Sequence, residues 1–223
     1  MKKLAVLISG SGTNLQSIID NIKNGYITGA EISVVISNKS NAFGLKRAEK
    51  AGIKTELLEH GHFSSREDFE RSIIAILERY GIDYVILAGF MRILSKYFIS
   101  RFKNRILNIH PALLPSFPGV DAQKQAFDYG VKFSGCTVHF VDEGTDTGPI
   151  IVQAVVPVLQ NDTEETLKKR ILAQEHKIFS YAIKMLVEGK LAIVNNKVKI
   201  LGEDIENIKD IFIINPYSAN FNG

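Results

Sequence analysis

Leu4-Ala5-Val6-Leu7-Ile8-Ser9-Gly10-Ser11-Gly12-Thr13-Asn14 opens the chain with a strand, a glycine turn and the start of a helix. The apolar run Leu4–Ile8 does not alternate, which is the pattern of a central parallel strand covered on both faces. Leu15, Ile18, Ile19 and Ile22 then recur at helical spacing up to Gly25. Strand, glycine turn and helix in this order direct backbone N–H groups, and the positive end of a helix dipole, at an anion. Two phosphate-binding fingerprints are approached and neither is met. Leu15 stands where the dinucleotide fingerprint has its third glycine, and the lysine of a P-loop is missing. Gly12, Thr13 and Asn14 remain as a generic candidate phosphate cradle, the alternative being a plain turn that binds nothing.

The pattern repeats outward. Ile32–Ser37 reads as a strand, Gly44–Ala51 as a short helix closed by Gly52, and Ile53–Leu58 as a further short strand. His60-Gly61-His62 has no partner ligands nearby and reads as an exposed turn. Ser64-Ser65-Arg66-Glu67-Asp68 starts a helix, with hydroxyls to cap it and carboxylates in its first turn. Phe69, Ile73, Ile76 and Leu77 mark its buried face. Tyr84–Ala88 is a second strongly apolar strand, ended by Gly89. Phe90, Met91 and Leu94 follow and are expected to expose apolar side chains to a flat ligand, or else to belong to the core. Phe98 and Phe102 mark a connecting helix that leads to a strand over Ile106 and Leu107. Downstream come a helix (Ala122–Tyr129), strands over Phe133–Val141 (alternating) and Ile150–Val158, and a long helix from Asp162 to about Glu188. Leu167, Ile171, Ile178, Ile183 and Leu186 form its inward stripe. Leu191–Ile200 reads as a hairpin across Asn195-Asn196. Alternating strands and helices predict an α/β fold: a Rossmann-like, mostly parallel twisted sheet with helices on both faces and a site at the carboxyl edge of the strands. One domain over 1–200 is expected, followed by a tail, 201–223, without a usable pattern.

Composition bounds the function. The chain has 223 residues, 45% apolar and 23% charged, with a net charge of +3. Positive and negative residues are interleaved, as in Lys46-Arg47-Ala48-Glu49-Lys50, which argues against a nucleic-acid partner. Cys136 is the only cysteine and sits in strand-like surroundings, so neither a disulfide nor a cysteine metal site is expected. The apolar run after Met1-Lys2-Lys3 is too short for a signal peptide, and no stretch approaches a membrane span. A cytoplasmic protein without membrane or metal partners is expected, as a monomer or weak homodimer.

The chemistry concentrates at Asn108-Ile109-His110-Pro111-Ala112-Leu113-Leu114-Pro115. In extended backbone Asn108 and His110 point to the same side. Pro111, Pro115 and Pro118 forbid a helix and stiffen the loop behind them. The acidic loop Asp142-Glu143-Gly144-Thr145-Asp146 lacks the spacing of a calcium site. Together these groups suit acyl transfer. Asn108 donates to a developing oxyanion, His110 moves protons, and a nearby carboxylate is expected to raise the histidine's pKa. No activated serine or cysteine is evident, so the acyl group passes directly to the incoming nucleophile.

Leu107–Pro115 and Val138–Pro149 resemble the corresponding motifs of the phosphoribosylglycinamide formyltransferase family of purine biosynthesis, and Ile8–Leu15 and Leu87–Leu94 are similar to its other two. The resemblance runs from about residue 4 to about residue 190 and implies the formyltransferase fold. It implies formyl transfer from the co-substrate 10-formyltetrahydrofolate to the amino group of glycinamide ribonucleotide, with no metal. It carries Asn108, His110 and Asp146 over as the catalytic set, and Gly12, Thr13, Asn14 and Glu175 as ribonucleotide contacts. Arg66, Met91, Arg92, Ile93 and Leu94 would line the folate pocket, with Asn108 and with Asp142, Glu143, Gly144, Thr145 and Asp146. Leu114–Pro115 is a candidate cis peptide. Asp121 and Gln123 stand where some relatives carry histidines, so no role transfers to them. Related folate enzymes, the methionyl-tRNA formyltransferase with its basic C-terminal domain and the hydrolase with its N-terminal regulatory domain, are disfavoured by length. A non-catalytic nucleotide-binding module is disfavoured by the intact Asn108, His110 and Asp146.

Overall fold

A computed structural model describes residues 1–202 of the chain. Strands β1 (Lys2–Ile8), β2 (Ala30–Ser37), β3 (Thr55–Leu57), β4 (Tyr84–Leu87), β5 (Ile106–His110), β6 (Phe133–Phe140) and β7 (Ile150–Pro157) form one sheet in the order β3-β2-β1-β4-β5-β6-β7. The first five run parallel. β6 is antiparallel to β5, and β7 to β6. The helices are α1 (Thr13–Lys23), α2 (Phe43–Lys50), α3 (Arg66–Tyr80), α4 (Lys96–Arg101), α5 (Ala122–Tyr129) and α6 (Glu164–Val187).

The unbroken apolar run of β1 has the predicted cause. Leu4, Val6 and Ile8 face one layer, where Leu15 and Ile18 of α1 and Leu167, Ile171 and Ile178 of α6 pack. Ala5 and Leu7 face the other, against Phe69, Ile73 and Leu77 of α3 and Phe98 of α4. A strand with helices on both faces gains from apolar side chains at every position. The expected cap of α3 forms, the Ser65 hydroxyl accepting from Asp68 N–H; Thr163 and Thr166 cap α6 reciprocally, which the sequence reading does not anticipate.

Three expectations need correction or refinement. β6 does not alternate between buried and exposed; every residue from Ser134 to Phe140 is buried. What alternates is the chemistry. Cys136, Val138 and Phe140 join the core with α6, whereas Thr137 and His139 on the opposite face serve the polar site described below. Phe90 and Leu94 belong to the core, while Met91 and Ile93 stand out from the same loop at 68% and 65% exposure. His60–His62 is a single exposed 3-10 turn. β8 (Leu191–Val194) and β9 (Lys197–Ile200) form the expected hairpin, with Asn195 and Asn196 both at positive φ, as its two-residue turn requires. The tail expected from residue 201 lies, beyond residue 202, outside the described residues.

Candidate active site

Sheet order reverses direction between β1 and β4, and in open α/β sheets a crevice opens at that point beyond the carboxyl ends of the strands. A cleft of about 360 Å3 lies there, lined by Gly12, Thr13 and Asn14 after β1, Met91 after β4, Ile109 and Pro111 on either side of His110, and Glu175 of α6. Gly12 is irreplaceable on two grounds. Its φ is +70°, and a Cβ would lie 2.6 Å from the Cα of Gly44 at the start of α2. The turn is braced by Gly44 N–H donating to Gly10 O at 3.1 Å and Arg47 Nε to Ser11 O at 2.9 Å. Asn14 Nδ2 donates to Glu175 Oε2 at 2.7 Å, so two residues 161 positions apart meet at the cradle. Burial pushes the Glu175 carboxyl above its usual range, against the opposing pull of the Asn14 amide. The Oδ1 atom of Asn14 is buried and has no protein partner, which leaves an acceptor beside the cradle.

Asn108 and His110 project from the same face of β5 into a second polar cluster. In register with them on β6 are His139 and Thr137. His110 Nε2 donates to the Phe117 carbonyl at 2.8 Å, so in the neutral ring Nδ1 carries the lone pair. That nitrogen lies 3.3 Å from Asp146 Oδ2. His139 Nδ1 donates to Phe140 O at 2.9 Å, which leaves Nε2 to accept from Asn108 Nδ2 at 3.2 Å. The other Asn108 amide hydrogen remains for a ligand. Asp146 therefore sits between two imidazoles, its Oδ1 3.6 Å from His139 Nε2, and its Oδ2 also accepts from Gly119 N–H at 2.8 Å.

The charge balance differs from expectation. Burial outweighs the pull of the Phe117 carbonyl and of Asp146 and holds His110 below the usual histidine range. The carboxylate acts upward, as predicted, but does not win. For Asp146, burial pushes upward, yet His139 when its Nε2 is protonated, the Gly119 N–H, and His110 when charged hold it below the usual range. The pair is thus set as a neutral imidazole beside an ionised carboxylate. Protonating Nδ1 would turn a contact of two acceptors into a charge-assisted hydrogen bond.

The loop after β5 is fastened by residues that sequence reasoning passed over. Thr137 Oγ1 donates to Ala112 O at 2.7 Å and accepts from Leu114 N–H at 3.1 Å, and Gln153 Nε2 donates to Leu114 O at 2.9 Å. Leu114–Pro115 is cis. His139 is the chief omission. Its signal was an imidazole two residues after Thr137 in a buried strand, but only register with Asn108 gives that signal meaning.

The candidate folate residues lie on the loops after β4 and β6 and at the start of α3, and Met91 lines the same cleft as Gly12. Lys96, directly after the 91–95 segment, pairs with Glu143 of the acidic loop at 2.8 Å. Asp142 Oδ1 shapes that loop by accepting from Gly144 N–H at 3.1 Å and Thr147 Oγ1 at 2.7 Å. Thr145 is exposed at its outer turn. Arg66 donates to the Ile93 carbonyl, Arg92 is half-exposed, and Leu94 is buried beneath the segment. Among the described residues no group of three or more His, Cys, Asp or Glu side chains is placed to hold a metal ion. None of the described helices is long and apolar enough to cross a membrane.

The formyl transferase family profile matches residues 2–183. The chain is 45% identical over 200 residues to the phosphoribosylglycinamide formyltransferase of Escherichia coli, covering 90% of this chain and 94% of that one. It is 47% identical over 194 residues to the human trifunctional purine biosynthetic protein adenosine-3, covering 87% of this chain; it spans only 19% of that much longer protein. The crystal structure of glycinamide ribonucleotide transformylase 1 from Symbiobacterium toebii superposes with a TM-score of 0.88 at 50% identity, covering 90% of this chain and 94% of that one.

Proposed function

The chain belongs to the formyl transferase family, and we propose that it moves the formyl group of 10-formyltetrahydrofolate onto the amino group of glycinamide ribonucleotide, in de novo purine synthesis. The observation that carries the mechanism is the arrangement of Asn108, His110, His139 and Asp146 at the end of β5, beside the cleft that holds the Gly12 cradle.

The amine nitrogen attacks the formyl carbon directly. As the carbonyl electrons move to oxygen, the free Asn108 amide hydrogen donates to the forming oxyanion. His139 keeps the amide turned for this by accepting its other hydrogen. The attacking nitrogen sheds one proton, and the departing folate nitrogen gains one as its bond to carbon breaks. The His110–Asp146 pair holds that proton between the two events. A neutral His110 with its lone pair toward an ionised Asp146 is the state that can take it up. Gly12, Thr13 and Asn14 bind the phosphate through backbone N–H groups at the start of α1. Glu175 and the unpartnered Asn14 Oδ1 accept hydrogen bonds from the glycinamide or ribose end. The folate lies against residues 91–94, Arg66 and the 142–146 loop.

The test mixes the purified chain with 10-formyltetrahydrofolate, adds glycinamide ribonucleotide, and follows the deformylated folate by absorbance. Product that requires the ribonucleotide supports the proposal. Equal release without it would make the chain a hydrolase, and no product at all would leave a binding module.

A further inference from the structure

Residues 88–95 connect β4 to α4 and do two opposite things with their apolar side chains. Phe90 and Leu94 are sunk in the core at 8% and 6% exposure, while Met91 and Ile93 are held out at 68% and 65%. Large apolar groups gain free energy by folding down, so the backbone between them must be held in place. The holds lie beneath the segment and are polar. Met91 N–H donates to Ser9 Oγ at 2.8 Å, and the Ser9 hydroxyl donates to Asn38 Oδ1 at 2.6 Å. At the other end, Ser95 N–H donates to Glu70 Oε1 at 2.7 Å, and the Ser95 hydroxyl donates to Glu70 Oε2.

Glu70 is the unusual member. It is 1% exposed on the inner face of α3, and a carboxylate at that depth needs several donors. Its remaining donor is Arg66 Nε at 3.2 Å, one turn earlier on the same helix. The Arg66 guanidinium in turn donates to the Ile93 carbonyl, while its side chain stays 46% exposed. A single buried carboxylate thus ties together both ends of the 93–95 segment and the cation beside it.

We propose that Glu70 is a positioning residue of the folate pocket, fixing Arg66 and residues 93–95 so that Met91, Ile93 and the guanidinium form one preset wall for the co-substrate. The proposal rests on the assignment of residues 91–94 to the folate site. A Glu70 that only packs α3 against α4 would affect the melting temperature and treat the two substrates alike. A positioning Glu70 acts on one substrate.

The full chain is compared with Glu70→Gln, Glu70→Asp, Ser95→Ala and Ile93→Ala by initial rates against each substrate and by thermal melting. Glu70→Gln removes the charge that holds Arg66, and KM for 10-formyltetrahydrofolate is expected to rise about tenfold. KM for the ribonucleotide, and kcat with both substrates saturating, should stay within about twofold, and Glu70→Asp should recover most of the loss. If Ile93→Ala raises the folate KM and Glu70→Gln does not, the clamp is refuted and the folate assignment stands. If neither variant moves it, the wall itself is misassigned and the proposal falls with it. A lower melting temperature with both KM values raised equally would make Glu70 structural and overturn the proposal. Should Glu70→Gln fail to fold, Ser95→Ala carries the comparison, because it keeps the Arg66–Glu70 pair; a folate-specific KM rise of about threefold is expected, and an unchanged KM refutes the clamp.

Discussion

Asp146→Asn removes one charge and almost no volume, so its consequence can be followed atom by atom. The variant amide can keep its oxygen on Gly119 N–H, at the position 3.3 Å from His110 Nδ1, and its nitrogen then takes the place of Oδ1, 3.6 Å from His139 Nε2. A neutral amide oxygen then faces His110 Nδ1 in place of a carboxylate, and a protonated ring loses its counter-charge. Two unit charges 3.3 Å apart attract by roughly 5 kcal/mol at an effective dielectric near 20. Screening and desolvation leave much less than this as a net effect: an opposite charge at such a distance typically moves a pKa by about 1–3 units, so losing it is expected to cost protonated His110 at least about 1.4 kcal/mol. Burial already holds His110 low, and the loss lowers it further. The acidic limb of the pH profile of kcat/KM is therefore expected to move down by about one pH unit. Turnover at the optimum should fall by about 10- to 100-fold, because the charge-assisted bond to the protonated ring is gone. The assay is initial rate against pH with both substrates varied, alongside a thermal melt to show that the loop has kept its Gly119 anchor. An unmoved profile with kcat within about twofold of the parent would refute the reasoning and reduce Asp146 to a loop anchor.

Other perturbations separate the parts of the site. His110→Ala should lower kcat by more than about 100-fold while the dissociation constant for folate, measured by titration, changes little; full turnover would end its proton-transfer role. Glu175→Gln retains an acceptor for Asn14 and removes a carboxylate whose pKa burial raises. A raised carboxylate pKa means stability present at acid pH and lost as pH climbs through it, so the variant should melt higher than the parent at pH 8 while its KM for ribonucleotide rises; an equal or lower melt would refute the burial argument. Gly12→Ala places a Cβ 2.6 Å from Gly44 Cα at a φ of +70°, and should cost about 1–3 kcal/mol of stability in denaturant titration and weaken ribonucleotide binding ahead of folate binding. Burial holds His110 and His176 below the usual range; the stability this gives is present above about pH 6.5 and is lost as pH falls through the depressed values, which melts across pH 7 to 5 would register.

The sequence alone determined the layered α/β fold, because the cues were local. Leu4–Ile8 is apolar at every position since its strand is covered twice, Ser65 caps the helix that follows it, and Asn195-Asn196 accepts positive φ. The pairing of Asn108 with His110 on one face was equally legible, as it follows from the period of a strand. Tertiary structure decided what depends on register and burial between distant segments. No local pattern sets His139 opposite Asn108, or brings Asn14 to Glu175 across 161 positions, where a mid-helix carboxylate becomes a buried one. Phe90 and Leu94 went inward and Met91 and Ile93 outward because buried donors and acceptors at Ser9 and Glu70 hold the intervening backbone. The direction of the His110 shift was likewise undecidable from a neighbouring acid, since it turns on how much water the fold leaves around the ring.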